Sequence, residues 1–417
     1  MTPEVKERIE QIRHGNVPEG YKKTAAGIMP ITWRQVRIGD VCAVNPLRPK
    51  KQEERVTFLG MADVSEEGRL INPSIVDYTK VSKGFTPFER GDILVAKITP
   101  CFENGKGADT NALPTQQGYG STEFHVLRCK DVDRRYMFLH TTSYEFRKKL
   151  ESEMTGSAGQ KRVQTESVAS YLLGLPSIDE QQGIAEILTV QDKVIELKEK
   201  LLAEKQRQKK YLMQQLLTGK KRLPGFDGEW KQNKLGKLFA ERSETKCEHL
   251  ELLAITGTQG VILRSQLDLK DNSSEDKSKY LHICVGDIGY NTMRMWQGVS
   301  AYSNYDGIVS PAYTILKPST DINAKYFAYL FKMPDVVFLF YRFSQGLVDD
   351  TRNLKYANFK KISITYPADK EEQHAIVAVL EKADLEIDLL RQSIEQEKQK
   401  EKALMQLLLT GIVRVNK

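Results

Sequence analysis

LMQQLLTG at residues 212–219 and LMQLLLTG at residues 404–411 are nearly the same eight residues, 192 positions apart. The offset between Gly219 and Gly411 also separates Ser177 from Asp369. So long a period signals two similar modules and not a stack of short repeats. Each copy has the punctuation of one long helix. Ser177 with Glu180, and Asp369 with Glu372, read as capping boxes or close relatives of one. Pro176 and Pro367 lie just upstream, where a helix does not easily extend backwards. Gly219 and Gly411 suit the left-handed position after a helix end. Some forty residues of helix span roughly 60 Å. A helix this long needs a partner to pack against.

The apolar spacing names the partner. In the second copy Ile376, Leu380, Ala383, Ile387, Leu390 and Ile394, then Leu404 and Leu408, follow coiled-coil steps. The first copy places Ile184, Leu188, Gln191, Ile195, Lys198 and Leu202, then Leu212 and Leu216, at the equivalent points. Both seams break in the middle, with Lys205 and Lys209 in one copy where Glu397 and Glu401 stand in the other. Opposite charge favours pairing of the two helices with each other. An antiparallel pair is expected, with Lys205 facing Glu401 and Lys209 facing Glu397.

The repetition continues outside the helices. WRQVRIG at 33–39 matches WKQNKLG at 230–236, GDI at 91–93 matches GDI at 286–288, and STEFHVL at 121–127 resembles SPAYTIL at 310–316. Tyr136 and Tyr326 each begin a short amphipathic helix. Runs such as VTFLGMADV, DILVAKI and FHVLRC read as strands between Gly, Asn and Pro. The fold class is therefore α+β. Two similar domains of mixed sheet and helices are joined by two long antiparallel coiled-coil helices with pseudo-twofold symmetry. The expected segments are an N-terminal piece at 1–30, a first module at 31–176, a central helix at 177–219, a second module at 220–367 and a C-terminal helix at 368–417. The first piece is placed beside the C-terminal helix, completing a circular repeat.

Charge and loop chemistry point to nucleic acid. The net charge of +7 suits an acidic partner. GSAGQKRV presents Gln160, Lys161 and Arg162 after a flexible run, and SQGLVDDTRNL presents Gln345, Arg352 and Asn353 in the same place. Arginine and lysine read guanine bidentately, glutamine and asparagine read adenine, and nearby lysines hold phosphates. Lys97, Lys106 and Arg294 are further candidates.

Other function classes lack their signatures. There is no Asn/Asp-Pro-Pro-aromatic methyltransferase motif, no phosphate loop, no H-E-x-x-H and no G-x-S-x-G. Five scattered cysteines without a C-x-x-C read as buried thiols in a reducing compartment. Cys247 and His249 have no second ligand pair, so no metal is expected. The N-terminus is too charged for a signal peptide and no apolar run spans a membrane, so a cytoplasmic binder without chemistry of its own is expected.

This organisation resembles the specificity subunit of type I restriction–modification enzymes. The residues that carry the resemblance are Glu180-Gln181 and Glu372-Gln373 at the helix starts, the L-L-T-G ends, the tryptophan-led module openings and GSAGQKRV. It implies two target-recognition domains, each reading half of a split site in double-stranded DNA. It also implies two modification subunits carrying S-adenosylmethionine, and restriction subunits using ATP and Mg, with no cofactor on this chain. The alternatives are a DNA-binding regulator, a coiled-coil scaffold that binds only protein, and a detached recognition half of a single-chain enzyme.

Overall fold

Both long helices form. In the computed structural model they run Ile178–Leu216 and Lys370–Leu409. The structure describes residues 2–47, 50–157, 159–257, 259–267 and 276–415. The chain divides into two units, residues 1–198 with 393–417, and residues 199–392. The division falls inside both helices, so each helix belongs to both units, whereas the expected segments treated each helix as a piece of its own.

In the first unit the start of the central helix packs on the end of the C-terminal helix. Ile184, Leu188, Ile195, Ile394 and Leu408 are buried there, and Leu404 packs against the same core. In the second unit Leu216, Ile376, Leu380 and Ile387 are buried, with Leu202, Leu212 and Leu390 half-buried. None of these seam residues is exposed. Each buried leucine or isoleucine stabilises the pair by roughly 1.5–3 kcal/mol.

The pairing is antiparallel within each unit, but the ion pairs differ from those expected. Lys205 meets Glu386 at 2.7 Å rather than Glu401, and Lys209 meets Asp384 rather than Glu397. Glu397 instead accepts from Lys198 and Gln191, each at 2.8 Å. The sequence comparison matched positions related by the repeat offset. An antiparallel pair does not bring those positions together, and the true register lies about two heptads away.

Glu401 has a different neighbour. Burial and a hydrogen bond with Asp192 push its carboxyl up to about 8. A carboxyl raised in the folded state binds its proton more tightly there than in the unfolded chain. Its stabilising contribution is therefore complete below the ordinary glutamate range and is lost as pH rises through about 8. The melting temperature should fall between pH 6 and 9, and Glu401→Gln should flatten that slope. Equal slopes in thermal melts of the two proteins would contradict the assignment.

The helix starts are only half of a capping box. Ser177 Oγ accepts from Glu180 N at 3.4 Å, and Asp369 accepts from Glu371 N at 2.9 Å. The glutamate side chains do not return to the cap. Arg414 grips Glu180 at 2.6 and 2.8 Å, and Arg222 grips Glu372 at 2.5 and 2.7 Å. Each arginine stands three residues beyond the glycine that ends the other helix. Trp33 adds an indole hydrogen bond to Glu180 at 3.1 Å. The following glutamines, Gln181 and Gln373, each accept from the backbone N–H at the start of a module helix, at Asp133 and Asn323, both at 2.8 Å. The Glu-Gln pairs thus tie module, helix and opposite helix end together. Gly219 and Gly411 have φ of +71° and +73°. A Cβ at Gly411 would also lie 2.6 Å from Pro30, so the site excludes side chains for two reasons. The N-terminal segment packs here, with Arg8 and Tyr21 donating to Ile412 O and Gly411 O at 2.5 and 2.7 Å.

Each module is closed by a two-stranded antiparallel ribbon joining its ends. Arg34–Arg37 pairs with Leu172–Leu175, and Trp230–Lys234 pairs with Ser363–Pro367. Each contains a four-stranded sheet with one topology. The order is Cys42–Val44, Phe124–Cys129, Ile93–Ala96, Gly107–Asp109 in the first. It is Phe239–Arg242, Tyr313–Pro318, Ile288–Asn291, Ser300–Tyr302 in the second. The GDI repeats serve this sheet: Asp92 and Asp287 close turns and bind Arg128 and Arg242. The second layer follows one strand order in both modules and is more loosely joined in the second. The first has a four-stranded sheet, Ser74–Asp77, Arg55–Leu59, Gln117–Gly120, Thr86–Glu89. The second has the same order, Gly260–Leu263, Leu253–Thr256, Gly307–Val309, Leu281–Ile283, with the two antiparallel pairs joined by one parallel bridge between Leu252 and Ile308.

Each expected amphipathic helix is two. Arg134–Thr142 is followed by Tyr144–Glu151, and Ala324–Leu330 by Pro334–Phe343. Ser143 restarts the first by capping Phe146 N, and Pro334 begins the second at a position where proline is favoured. Of the cysteines only Cys42 is buried; the other four are half-buried, and all five are free thiols.

Candidate nucleic-acid interface

The two loops singled out by their amide and basic residues are built alike. In the first module Thr155 and Arg162 exchange backbone hydrogen bonds at 3.1 and 2.8 Å, closing the neck of a short loop. In the second, Gln345 and Asn353 do the same at 2.8 and 2.7 Å. Each neck is then pinned to the residue after an equivalent strand. Val163 N donates to Lys97 O at 2.9 Å, and Leu354 N donates to Thr292 O at 2.8 Å. This brings Lys97, Gln160, Lys161 and Arg162 together in the first module. It brings Arg294, Gln345, Arg352 and Asn353 together in the second. Ala158, within the first loop, lies outside the described residues.

Exposure separates these residues. Gln160, Lys161, Arg294 and Gln345 are exposed, while Lys97, Arg162, Arg352 and Asn353 are partly covered. Both loop arginines already have carboxylate partners. Arg162 makes a forked bond to Glu123, both arms at 3.0 Å, and holds the Glu123 carboxyl below the usual range. Arg352 donates to Asp349 at 2.9 Å and to the Tyr341 hydroxyl at 3.0 Å, and stacks 4.0 Å over that ring. In this state their guanidinium forks brace the loops. A base or phosphate would have to displace Glu123 or Asp349 to use them. Lys106 stands apart, its ammonium bonded to Met61 O at 3.0 Å.

The supporting residues were not legible as functional. Burial lowers the pKa of His125, favouring the neutral ring. Its Nε2 lies 2.9 Å from Val163 O and its Nδ1 lies 3.1 Å from the Asn45 amide. A neutral ring donating from Nε2 and accepting at Nδ1 satisfies both contacts and fixes the neck. Glu123, Asp349 and Tyr341 set the arginine directions, and nothing in the spacing of the sequence links them to the loops.

The long helices carry a second surface. Val190 and Leu197 are 60% and 55% exposed on the first unit's helix, beside Ile187. Leu385 and Leu389 are 59% and 56% exposed on the second unit's helix. No described helix is long and apolar enough to cross a membrane.

The chain is similar to known proteins in sequence and in fold. The family model for the type I restriction modification DNA specificity domain matches residues 30–206 and again 228–399. The chain is 34% identical over 188 residues to the specificity subunit of the Escherichia coli type I restriction enzyme EcoAI, covering 43% of this chain and 32% of that protein. It is 24% identical over 224 residues to the MjaVIII specificity subunit of Methanocaldococcus jannaschii, covering 50% and 51%. The match thus spans about a third to a half of these relatives. The fold is shared with the HsdS subunit of Thermoanaerobacter tengcongensis, at TM-score 0.50 and 18% identity over 92% of this chain and 98% of that one. It is also shared with the type I S subunit of M. genitalium, at TM-score 0.54 and 13% identity over 90% and 96%. Matched twice by one family model over most of its length, the chain belongs to the family of the type I restriction modification DNA specificity domain.

Proposed function

We propose that this chain reads a bipartite site in double-stranded DNA for a type I restriction–modification assembly, one half-site per module. The observation that carries the proposal is the pair of necked loops, built at the same place in both modules and furnished with amide and basic side chains. Gln160, Lys161, Arg162, Gln345, Arg352 and Asn353 are the base-edge and phosphate contacts, with Lys97 and Arg294 beside them. Lys106 contributes charge only.

The paired helices set the unread gap between half-sites. Their exposed apolar residues, Ile187, Val190 and Leu197 in one unit and Leu385 and Leu389 in the other, receive two modification subunits. Those subunits bring S-adenosylmethionine and methylate one adenine in each half-site. Restriction subunits bring ATP and Mg. This chain supplies no catalytic group, binds none of these cofactors, and works in the cytoplasm.

DNA affinity of the full chain, measured as a function of salt, tests the reading. Affinity should fall steeply with salt, as release of counterions from phosphates requires. Lys161→Ala should weaken binding to all sequences and reduce the log–log salt slope by about one. Salt-independent binding, or none, would leave a protein-only scaffold.

A further inference from the structure

The two necked loops turn alike but present different chemistry at the turn. The residue after the first neck position is a glycine at positive φ in both, Gly156 at +131° and Gly346 at +132°. Each turn is tight. A Cβ would lie 2.8 Å from Gln160 O in the first loop and 2.6 Å from Thr351 O in the second, so only glycine fits. The next residue is Ser157 in the first loop and Leu347 in the second, and both are exposed. Leu347 is 99% exposed and Val348 beside it is 58% exposed.

Single exposed leucines are ordinary on a protein surface. Leu347 differs in how firmly it is presented. Behind it a short turn at Asp349–Thr351 is closed by Thr351 Oγ1, which donates to Val348 O at 3.0 Å. Arg352 locks the far side through Asp349 and the Tyr341 ring. A slack loop would let an apolar tip fold back onto the module, away from water. This loop holds it out. Its place matters equally, since Gln345 precedes it and Arg352 and Asn353 follow it on the same braced loop.

We propose that Leu347 reads a thymine in the second module's half-site by packing on the C5-methyl group, and that the first module makes no equivalent contact. The inference rests on the DNA reading proposed above. Amide and guanidinium groups read the hydrogen-bonding edges of bases in the major groove. In that groove thymine also shows a methyl group, which an apolar side chain recognises and a hydrogen-bonding one does not. Leu347 supplies the apolar surface among the polar readers. Ser157, at the matching turn, offers a hydroxyl and gains nothing from a methyl group. The two loops share one scaffold and differ in the kind of base feature they detect.

Deoxyuridine differs from thymidine only by that methyl group and so tests the contact. The full chain is bound to a duplex carrying the site to which its adenine methylation maps, with each thymine of both half-sites replaced in turn. Binding should weaken about fourfold at one position in one half-site, the worth of one buried methyl group. Leu347→Ala should bind the thymine duplex roughly fivefold more weakly or worse. It should bind the thymine and deoxyuridine duplexes equally well. Its melting temperature should match the wild type, because the side chain it loses packs on almost nothing in the free chain. A full chain that binds none of these duplexes overturns the DNA reading and this inference with it. Binding indifferent to every thymine methyl, or a deoxyuridine penalty that survives in Leu347→Ala, overturns the methyl contact alone.

Discussion

Glu372→Ala should destabilise the second unit by about 3 kcal/mol. Glu372 is 1% exposed and takes both arms of the Arg222 guanidinium, which lies 5.9 Å from the Trp230 ring centre. Removing the carboxylate strands a cation that cannot fully reach water. Loss of one partner from a buried pair costs roughly 3–5 kcal/mol, and the partial exposure of Arg222 keeps the effect near the lower end. Glu180→Ala should act similarly in the first unit, where the Trp33 hydrogen bond is lost as well. Denaturant midpoints check both. Replacing Arg222 together with Glu372 by apolar residues should recover part of the loss, since no charge is then left unpaired. A Glu372→Ala loss below about 1 kcal/mol would mean the clamp holds nothing beyond an ordinary surface pair.

Exchange of residues 230–366 for the corresponding module of another family member should replace one half-site of the DNA target and leave the other unchanged. The joints favour this. Trp230 and Pro367 are register partners on the closing ribbon, so the module's two ends lie side by side. Contacts outside the module that any replacement must meet include Gln373 and His374 on Asn323, Asp384 on Tyr329, Glu381 on Lys325, Lys370 on the Thr320 carbonyl, and the Trp230 face on Gly219 and Arg222. Mapping the methylated adenines made with the exchanged chain checks the outcome. A change in both half-sites would mean that the modules do not read independently.

The helices, their seam and the order of the repeated module were legible because they depend on local periodicity and on repeated words. The seam residues from Ile184 to Leu408 are all at least half-buried. The ion pairs were not legible, since facing residues in an antiparallel pair depend on a register that neither copy contains. The Glu-Gln starts looked like caps. Their side chains instead reach Arg222 and Arg414 at the far ends of the opposite helices, a long-range use invisible in a short window. In the recognition loops the residue types were visible but their present partners were not. Arg162 and Arg352 are braced by Glu123 and Asp349, and only the fold sets those meetings.

Adenine methylation mapped across the genome of a host that carries this chain with its modification partner distinguishes a split target from a contiguous one. Methylated adenines should fall in two short specified sequences separated by a gap of constant length and free composition. That gap should lengthen when one helical turn is inserted into the central helix. A single contiguous motif, or a gap unchanged by the insertion, would contradict it.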